Sequence, residues 1–268
     1  MSEASTDPSD PADHGDLTTE LELATRLADI ADTVSLPAYT ERTFTLDRKH
    51  DRTEVTEVDR DIEAAIGEVL LDERPDHGIV GEEHGQIGDA SSPWRWVIDP
   101  IDGTSGFVRG IPVWATLIAL LHDDEPVIGI ASAPALGGRR WWAARGHGAF
   151  VDGRRCAVSD VTDLAEAQVS VTHSAGWDEL GATPKLLALQ AAARRARGFG
   201  DFWQHVLVAE GALDLAVDAV GVAPHDLAAV MVIVEEAGGT FTDRHGVRTF
   251  RSDTAISSNG KLPPLTLP

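Results

Sequence analysis

The chain has 268 residues, enough for one large domain or two smaller ones, and its 43% hydrophobic and 25% charged residues are typical of a globular protein. Its formal net charge of −22 argues against binding to nucleic acid or to an anionic membrane surface as its main task. The single cysteine, Cys156, excludes an intrachain disulfide framework and is typical of a protein in the reducing cytoplasm.

The first expected elements are a tail and two helices. Residues 1–16 are rich in Ser, Asp and Pro and have no apolar core of the signal-peptide type, so we expect a disordered acidic tail. Apolar residues at helical spacing then predict a helix with Thr18 as its cap and an end at Leu36-Pro37. A second helix is predicted from about Glu57 to Leu71, with Thr56 as its cap.

The rest of the first half favours strands, because apolar runs alternate with Gly and Pro. The longest of these runs, residues 113–121, is too short to span a bilayer. A soft boundary near Val151 divides residues 17–150, an N-terminal α+β part, from residues 151–268, a C-terminal α/β part. The expected strands lie at residues 113–121, 127–132, 140–144 and 149–151.

In the second half strands alternate with helices, which is typical of an α/β layer. Together with the antiparallel first half, this order predicts an α+β or α/β fold. The expected elements are a strand at 169–172, helices at 184–197 and 203–210, a strand at 213–217, a helix at 226–237, and strands at 240–242 and 255–257.

The most informative segment is residues 96–104, in which an apolar run ends in Asp99 and Asp102 and is followed by Gly103 and Thr104. Carboxylates are the oxygen ligands that Mg²⁺ prefers, and a proline between the two acids stiffens the turn. Thr104 can cap a following helix whose first N–H groups face an anion. These features indicate metal-dependent phosphoryl chemistry; the plain alternative is a strand that ends in an acidic turn.

Three further segments carry acids next to apolar runs. Gly81-Glu82-Glu83 follows a short apolar strand, and Asp226 begins a buried helix that ends at Gly238-Gly239. The segment Asp51–Asp59 contains the predicted helix cap and ends in a carboxylate on the first helical turn. Each of these segments alone has only moderate specificity.

With these segments the chain resembles the inositol monophosphatase family of Mg²⁺-dependent phosphatases. The matching segments occur in the family's order and extend from Asp51 to Asn259. The resemblance implies a layered αβαβα sandwich, with which the order of predicted elements is compatible. One departure is His225, where the family usually has a packing Trp. Because Mg²⁺ prefers oxygen, we interpret His225 and His84 as structural neighbours of the site rather than as ligands.

The resemblance also implies two or three Mg²⁺ ions. One ion would lie between Glu82, Asp99 and the Ile101 carbonyl. A second would lie between Asp99, Asp102 and Asp226, so that Asp99 bridges the two. A third, weaker ion would use Glu82 and water, and the metals together would activate the attacking water and neutralise the phosphate.

Two residues are implied to be catalytic. The Thr104 hydroxyl, hydrogen-bonded to Asp59, would orient and deprotonate the attacking water. The backbone N–H groups of Gly103 and Thr104 would hold the phosphate. The simpler alternatives are that Asp59 is a solvated acid on a helix and that Asp226 only caps one.

Three segments, residues 107–115, 141–146 and 200–202, resemble the actinobacterial-type histidinol-phosphatases of this superfamily. Such enzymes remove phosphate from L-histidinol phosphate in histidine biosynthesis, so the implied partner is a small phosphorylated metabolite. The ammonium and imidazole of histidinol require acids and an aromatic wall. Asp201 and Asp218 are candidates for these acids, and Arg109 either meets the phosphate or forms a surface ion pair.

Two alternatives stay open. The same chemistry could act on inositol monophosphate, fructose bisphosphate or a phosphoadenosine nucleotide. A protein of another class, a catalytically silent Mg²⁺-binding regulator, is disfavoured by the complete set of acids. Because family members are often dimers, we expect a homodimer. The single cysteine and the lack of a signal-peptide core favour a location in the cytoplasm.

Overall fold

The structure is a computed structural model that describes residues 16–48 and 54–268. Nearly all of the predicted acidic tail, and Asp51-Arg52-Thr53 of the predicted motif, lie outside the described residues. The helices are α1 (Thr18–Glu41), α2 (Glu57–Glu73), α3 (Thr104–Arg109), α4 (Ala175–Glu179), α5 (Thr183–Ala192), α6 (Asp201–Ala209) and α7 (Pro224–Glu236), with a 3₁₀ turn at Leu164–Glu166.

Strands of the described residues form a ribbon, a larger sheet and a smaller sheet. The ribbon pairs β1 (Leu46–Arg48) with β2 (Glu54–Thr56). The larger sheet contains β3 (Gly78–Gly81), β4 (Gly85–Gly88), β5 (Trp94–Asp102), β6 (Ala115–His122), β7 (Glu125–Ala133), β8 (Arg139–Ala144), β9 (Gly148–Val151) and β10 (Arg154–Arg155). The smaller sheet contains β11 (Gln168–Val171), β12 (Arg195–Arg197), β13 (Leu215–Val217), β14 (Thr240–Thr242) and β15 (Ile256–Ser258).

The larger sheet has the order β10-β9-β8-β7-β6-β5-β3-β4, and its neighbours are antiparallel except for the parallel pair β3 and β5. The smaller sheet has the order β12-β11-β13-β15-β14. Its strands β12, β11 and β13 are parallel to one another, whereas β15 is antiparallel to both of its neighbours, β13 and β14. The parallel pair in the larger sheet matters for function, because it places the ends of β3 and β5 at the same edge.

The helices and sheets form five layers. Helices α1 and α2 pack on one face of the larger sheet, α6 and α7 lie between the two sheets, and α5 covers the outer face of the smaller sheet. The side chains of strand β6 show this layering: Leu117 and Leu121 face α7, whereas Ile118 and Leu120 face α1 and α2. Since both faces of the sheet are covered, β6 is apolar nearly throughout. The predicted αβαβα sandwich is confirmed.

Helix α7 lies unusually close to strand β7. A Cβ atom added at Gly129 would lie 2.3 Å from the backbone oxygen of Ala229, so only glycine permits this approach. Eight successive residues of α7, residues 227–234, are buried, as expected for a helix between two sheets.

Both predicted ends of the first helix were wrong. Helix α1 does not end at Pro37 but continues to Glu41, and Thr18 is its first helical residue rather than its cap, because Leu17 occupies the N-cap position. Its last turn is held by tertiary contacts, because Tyr39 donates a hydrogen bond to the Gly110 carbonyl and packs against the ring of Trp114. These contacts offset the one hydrogen bond that a proline removes from a helix.

The helix predicted over residues 184–197 is also shorter than expected. It ends at Ala192, and Arg195–Arg197 form β12, which pairs in parallel with β11 at the edge of the smaller sheet. The segment has good helix formers, but pairing with the open edge of β11 satisfies its backbone groups instead. By contrast, Thr56 is the N-cap of α2 as predicted.

The predicted division near Val151 lies just before β10, which still belongs to the larger sheet. One hydrophobic cluster includes residues of both halves, because α7 packs on the larger sheet. None of the described helices combines the length and apolar character needed to cross a membrane.

Candidate active site

The centre of the site is the end of strand β5. The pairing of β5 with β6 is in register up to Asp99 and shifts between Asp99 and Asp102. Such an irregularity changes the direction in which side chains point. The Pro100 carbonyl inside the shift accepts a hydrogen bond from Thr116 Oγ1 at 2.8 Å, which holds the turn. Asp99 and Asp102 are 2% and 8% exposed, so two carboxylates are buried within four residues.

Glu82 joins Asp99 because β3 and β5 are parallel. Gly81, the last residue of β3, is paired with Ile98 of β5, so the next residue along each chain segment, Glu82 and Asp99, lies beside the other. Gly81 also makes room for Glu63 of α2, whose carboxylate would lie 2.0 Å from a Cβ at this position. Glu63 accepts hydrogen bonds of 2.8 Å from the N–H groups of Glu83 and His84, and so anchors the loop that carries Glu82.

Asp226 reaches the site from the first turn of α7. Its Oδ2 accepts a hydrogen bond of 2.7 Å from the Ala223 N–H, which fixes the carboxylate at the helix start. Both roles considered from the sequence, cap and member of an acidic group, therefore apply to the same side chain. Pro224 occupies the first helical turn, where its missing N–H costs no intrahelical hydrogen bond.

Two groups of possible metal ligands meet at Asp99. Carboxylate oxygens of Asp99, Asp102 and Asp226 lie within 4.8 Å of one another, and so do ligand atoms of Glu82, Asp99 and His225. Ile101, whose carbonyl was the predicted backbone ligand, lines the same cavity of about 690 Å³. The structure thus brings together all five predicted metal ligands and adds His225, which the sequence analysis treated as a structural neighbour.

The electrostatics of these acids fit a cation. Burial first, and then repulsion by Glu82, Asp226 and Asp102, raises the pKa of Asp99 well above its usual value. Burial and the charges of Asp201 and Asp226 likewise raise the pKa of Asp102 well above its usual value. In addition, the buried Asp99 Oδ1 has no hydrogen-bond partner among the described residues. A buried, unpaired carboxylate oxygen is costly, and a divalent ion would compensate it.

The predicted hydrogen bond between Thr104 and Asp59 is not formed. The Thr104 hydroxyl donates to the Ile101 carbonyl at 2.9 Å, a local contact across one turn. Asp59 Oδ2 instead accepts hydrogen bonds from the Thr56 N–H and hydroxyl, which completes the capping box of α2. Asp59 is 1% exposed, and burial, with smaller contributions from Glu82 and Glu83, raises its pKa to about 6.

Gly103 has a φ of +83°, which is the left-handed region that favours glycine. A Cβ here would lie 3.0 Å from the Val113 carbonyl and 3.3 Å from Asp201 Oδ2. This conformation lets the chain leave β5 and enter α3 at once, with Thr104 as the first helical residue. The first N–H groups of a helix have no intrahelical partner and can therefore face a ligand.

Asp201 and Asp218 lie around a smaller cavity of about 200 Å³ next to the acids, which they share with Asp102 and Asp226. Asp201 is the first residue of α6, with φ of +51°, and the following Phe202 N–H donates to Asp102 Oδ2 at 2.6 Å. Asp201 as a whole residue is exposed, but desolvation on the side of its carboxylate that faces the recess, followed by repulsion from Asp218 and Asp226, raises the pKa of that carboxylate to about 6.

The buried ring of His205 fixes the position of Asp218. His205 Nε2 lies 3.0 Å from Asp218 Oδ2, and His205 Nδ1 lies 2.9 Å from Ser257 Oγ. At the mouth of the site, Arg109 forms an ion pair of 2.9 Å with Glu54, and both line the main cavity. Of the two possibilities for Arg109, the ion pair is the one observed.

The profile of the inositol monophosphatase family matches residues 16–267. The chain belongs to the inositol monophosphatase family. Among solved members of this fold, the extragenic suppressor protein suhB of Bartonella henselae superposes with a TM-score of 0.84 at 29% identity, covering 91% of this chain and 95% of that chain. An IMPase of Thermotoga maritima superposes with a TM-score of 0.81, also at 29% identity, covering 91% and 93%.

Several relatives of this chain carry the name histidinol-phosphatase. The relative from Mycobacterium tuberculosis is 44% identical over 249 residues, which covers 91% of this chain and 94% of the relative. The relative from Streptomyces coelicolor is 43% identical over 252 residues, which covers 91% and 93%. Both matches extend over nearly the whole fold.

Sequence reasoning missed two residues that shape this site, Glu63 and His205, and it interpreted His225 as a structural neighbour. Glu63 and His205 act through contacts between residues that are far apart in the chain, and no local pattern marks them. His225 did carry a signal, since it directly precedes Asp226, but its orientation toward Glu82 depends on how α7 packs.

Proposed function

We propose that this protein hydrolyses L-histidinol phosphate to L-histidinol and phosphate with the help of two or three divalent metal ions, Mg²⁺ among them. The chemistry rests on the position of Asp99 between two groups of metal-ligand candidates in one cavity. The substrate rests on the identity of 44% with a histidinol-phosphatase over 91% of the chain. The reaction would serve histidine biosynthesis.

Glu82, Asp99, Asp102, Asp226 and the Ile101 carbonyl would hold the metal ions. When bound, such ions supply an acidified water, neutralise the phosphate oxygens and stabilise the leaving oxygen. The protein residues contribute position: Glu63 fixes the loop of Glu82, and the Ala223 N–H fixes the carboxylate of Asp226. The raised pKa values of Asp99 and Asp102 reflect negative charge that the neighbouring residues do not compensate, and a bound cation would compensate it.

Thr104 would orient the attacking water. Because its proton is donated to the Ile101 carbonyl, the lone pairs of Oγ1 can accept a hydrogen bond from water. Asp59, with a pKa of about 6, has a suitable basicity for taking up the proton, although it contacts Thr56 and not Thr104. The N–H groups of Gly103 and Thr104 at the start of α3 would bind the phosphate.

Histidinol would lie in the recess beside the metals. Asp201 and Asp218 would face its ammonium group, which relieves the repulsion between these carboxylates. Phe202 is fully packed against Trp141 and gives the recess an aromatic floor. Arg109 would release Glu54 to meet the phosphate, or keep the ion pair and shape the entrance.

A substrate panel tests the proposal. Phosphate release is measured from L-histidinol phosphate, inositol 1-phosphate, fructose 1,6-bisphosphate and phosphoadenosine phosphate, each with Mg²⁺ and with EDTA. We expect a strong preference for L-histidinol phosphate and no release in EDTA. Preference for another substrate would keep the metal chemistry and refute the substrate; no release from any of them would favour the regulatory alternative.

The variant Asp201→Asn separates recognition from chemistry. It should raise KM for L-histidinol phosphate about tenfold, the loss expected for one charge-assisted contact, and leave KM for an aryl phosphate nearly unchanged. The control Asp61→Asn, on the exposed face of α2, should change neither value. Equal effects of Asp201→Asn on both substrates would exclude a role in ammonium recognition.

We also propose a homodimer in the cytoplasm. The lone Cys156, which is buried, is compatible with a reducing compartment. Light scattering of the purified protein measures the mass directly, and a monomer at assay concentration would refute the dimer.

A further inference from the structure

The two groups that share Asp99 differ in their donor atoms. The group of Asp99, Asp102 and Asp226 contains only carboxylate oxygens, whereas the group of Glu82, Asp99 and His225 adds an imidazole nitrogen. His225 and Asp226 are consecutive residues on the first turn of α7. Although these two side chains approach to 3.6 Å, each completes a different group.

His225 is placed to serve as a ligand. Its side chain is 24% exposed and lines the cavity that also contains Glu82, Asp99 and Ile101. Its Nε2 lies 3.6 Å from Asp226 Oδ1, which is too long for a hydrogen bond. Pro224 and the capping contact of Asp226 hold the backbone on both sides of His225, and this limits where its ring can point.

A second observation points to a ligand at this place. Asp99 contributes an oxygen to the group, is 2% exposed, and has a buried Oδ1 without a hydrogen-bond partner among the described residues. The carboxylate of Glu82 and the imidazole of His225 each place a ligand atom within 4.8 Å of an oxygen of this carboxylate. A divalent cation would pair with all of these donors at once.

We infer that Glu82, Asp99 and His225 form a mixed nitrogen and oxygen site that selects a first-row transition ion over Mg²⁺. This inference rests on the proposed function, since it concerns one of the metal positions of the same site. Mg²⁺ takes oxygen ligands, whereas imidazole favours transition ions, whose affinity increases from Mn²⁺ to Cu²⁺. The all-oxygen group of Asp99, Asp102 and Asp226 keeps its preference for Mg²⁺. The two positions therefore prefer different metals.

Mn²⁺ is the probe for the test, because its electron spin reports nitrogen ligands directly. The full-length protein is stripped with a chelator and titrated with Mn²⁺ in a large excess of Mg²⁺, and free Mn²⁺ is measured by electron paramagnetic resonance. We expect one equivalent of Mn²⁺ to remain bound, with a ¹⁴N coupling in the pulsed spectrum. Labelling with ¹⁵N-histidine should convert that coupling to ¹⁵N.

The variant His225→Gln should lose the nitrogen coupling and weaken Mn²⁺ binding in Mg²⁺ at least about tenfold, which corresponds to 1.4 kcal/mol. The matched control is His84→Gln, whose ring contacts Glu63 near the same loop and should keep both the coupling and the affinity. If His225→Gln melts at a lower temperature than the parent, His225→Ala replaces it as the test variant. Imidazole added to His225→Ala should restore the nitrogen coupling of the bound Mn²⁺.

Mn²⁺ that is displaced by Mg²⁺, or bound without histidine nitrogen coupling, would overturn the inference. Hydrolysis of L-histidinol phosphate with Mg²⁺ alone is measured in parallel. If hydrolysis proceeds while the nitrogen coupling is absent, only the mixed site is refuted. If the protein binds Mn²⁺ through nitrogen but hydrolyses no phosphate ester, only the proposed function fails.

Discussion

At the scale of single residues, Asp99 is the side chain on which both metal-ligand groups depend. It is buried at the end of β5, carries an unpaired oxygen, and is surrounded by other acids. Without a cation these charges oppose folding, because a buried carboxylate without a partner is unfavourable. The residue is therefore a source of function and of instability at the same position.

Asp99→Asn separates these two contributions. The change removes the shared negative ligand and keeps the side-chain shape. Mutation of residues that only support metal ligands lowers activity by up to about a hundredfold, so loss of the ligand charge itself should lower turnover by at least that much. The melting temperature of the metal-free protein should stay equal or rise, because a repelling charge is lost. Phosphate release and calorimetry measure the two effects, with the exposed Asp76→Asn as control. Turnover within threefold of the parent would exclude the shared ligand.

Thr104→Ala tests whether the hydroxyl acts on water or on the turn. The hydroxyl contacts the Ile101 carbonyl, a predicted metal ligand, so a purely structural role would appear as weaker metal binding. We expect kcat to fall about a hundredfold and metal affinity to change little. Thr104→Ser, which keeps the hydroxyl, should retain most of the activity. The opposite pattern, with affinity lost and kcat retained, would show that Thr104 only supports the turn.

At the scale of elements, the contact between β7 and α7 determines where the first turn of α7 lies. That turn carries both His225 and Asp226, one from each metal-ligand group. The contact is close because Gly129 has no side chain between the strand and Ala229. Packing at this distance allows little adjustment, since protein interiors are dense.

Gly129→Ala should therefore push α7 away from the sheet. We expect the free energy of unfolding to fall by about 1–3 kcal/mol, as for other overpacked positions, and metal affinity to fall with it. The matched control is Gly67→Ala in α2, where an added Cβ meets nothing within 4 Å and helix propensity favours alanine. Denaturant unfolding of the two variants gives the comparison, and equal stabilities would contradict this account of the α7 contact.

At the scale of the whole molecule, acidic residues are in excess throughout the chain and are also clustered at the site. The chain carries a net charge of −22, and within the site burial and neighbouring acids raise the pKa values of Asp59, Asp99 and Asp102. In the unfolded chain these groups have ordinary pKa values near about 4. The folded, metal-free protein consequently binds more protons than the unfolded chain at mildly acidic pH.

This difference predicts how stability depends on pH. Because the folded pKa values are raised, the free energy of unfolding of the metal-free protein falls as pH rises through about 4 to 6, the latter being the pKa of Asp59. Bound metal replaces the protons, so the stabilisation by Mg²⁺ should increase between about pH 5 and pH 7. Calorimetry with EDTA and with Mg²⁺ measures the difference in melting temperature, in which the effect of the buried His77 largely cancels. A difference that does not change with pH would refute this linkage.

The net charge predicts a dependence on salt. Repulsion among the excess acids is screened as ionic strength rises, whereas each surface ion pair loses little. The melting temperature should therefore rise when KCl is added at neutral pH. The same titration with sucrose, which is not ionic, separates screening from general exclusion of solute. A melting temperature that falls with KCl would show that the ion pairs outweigh the net charge.

The sequence by itself determined the acids of the site and the family of folds. Asp99, Asp102 and Thr104 lie close together in the chain where β5 leads into α3, and Thr56 caps the helix that carries Asp59, so local chemistry was enough to predict them. The order of elements was enough for the layered fold, because strands and helices differ in their apolar periods.

Only the tertiary structure decided the contacts between distant segments. The pairing of β3 with β5 brings Glu82 to Asp99, the packing of α7 turns His225 toward both, and Gly81 admits Glu63 from another layer. Packing also extended α1 past Pro37 and turned Arg195–Arg197 into a strand. Spacing along the chain describes one element at a time, whereas these positions depend on how the layers pack against one another.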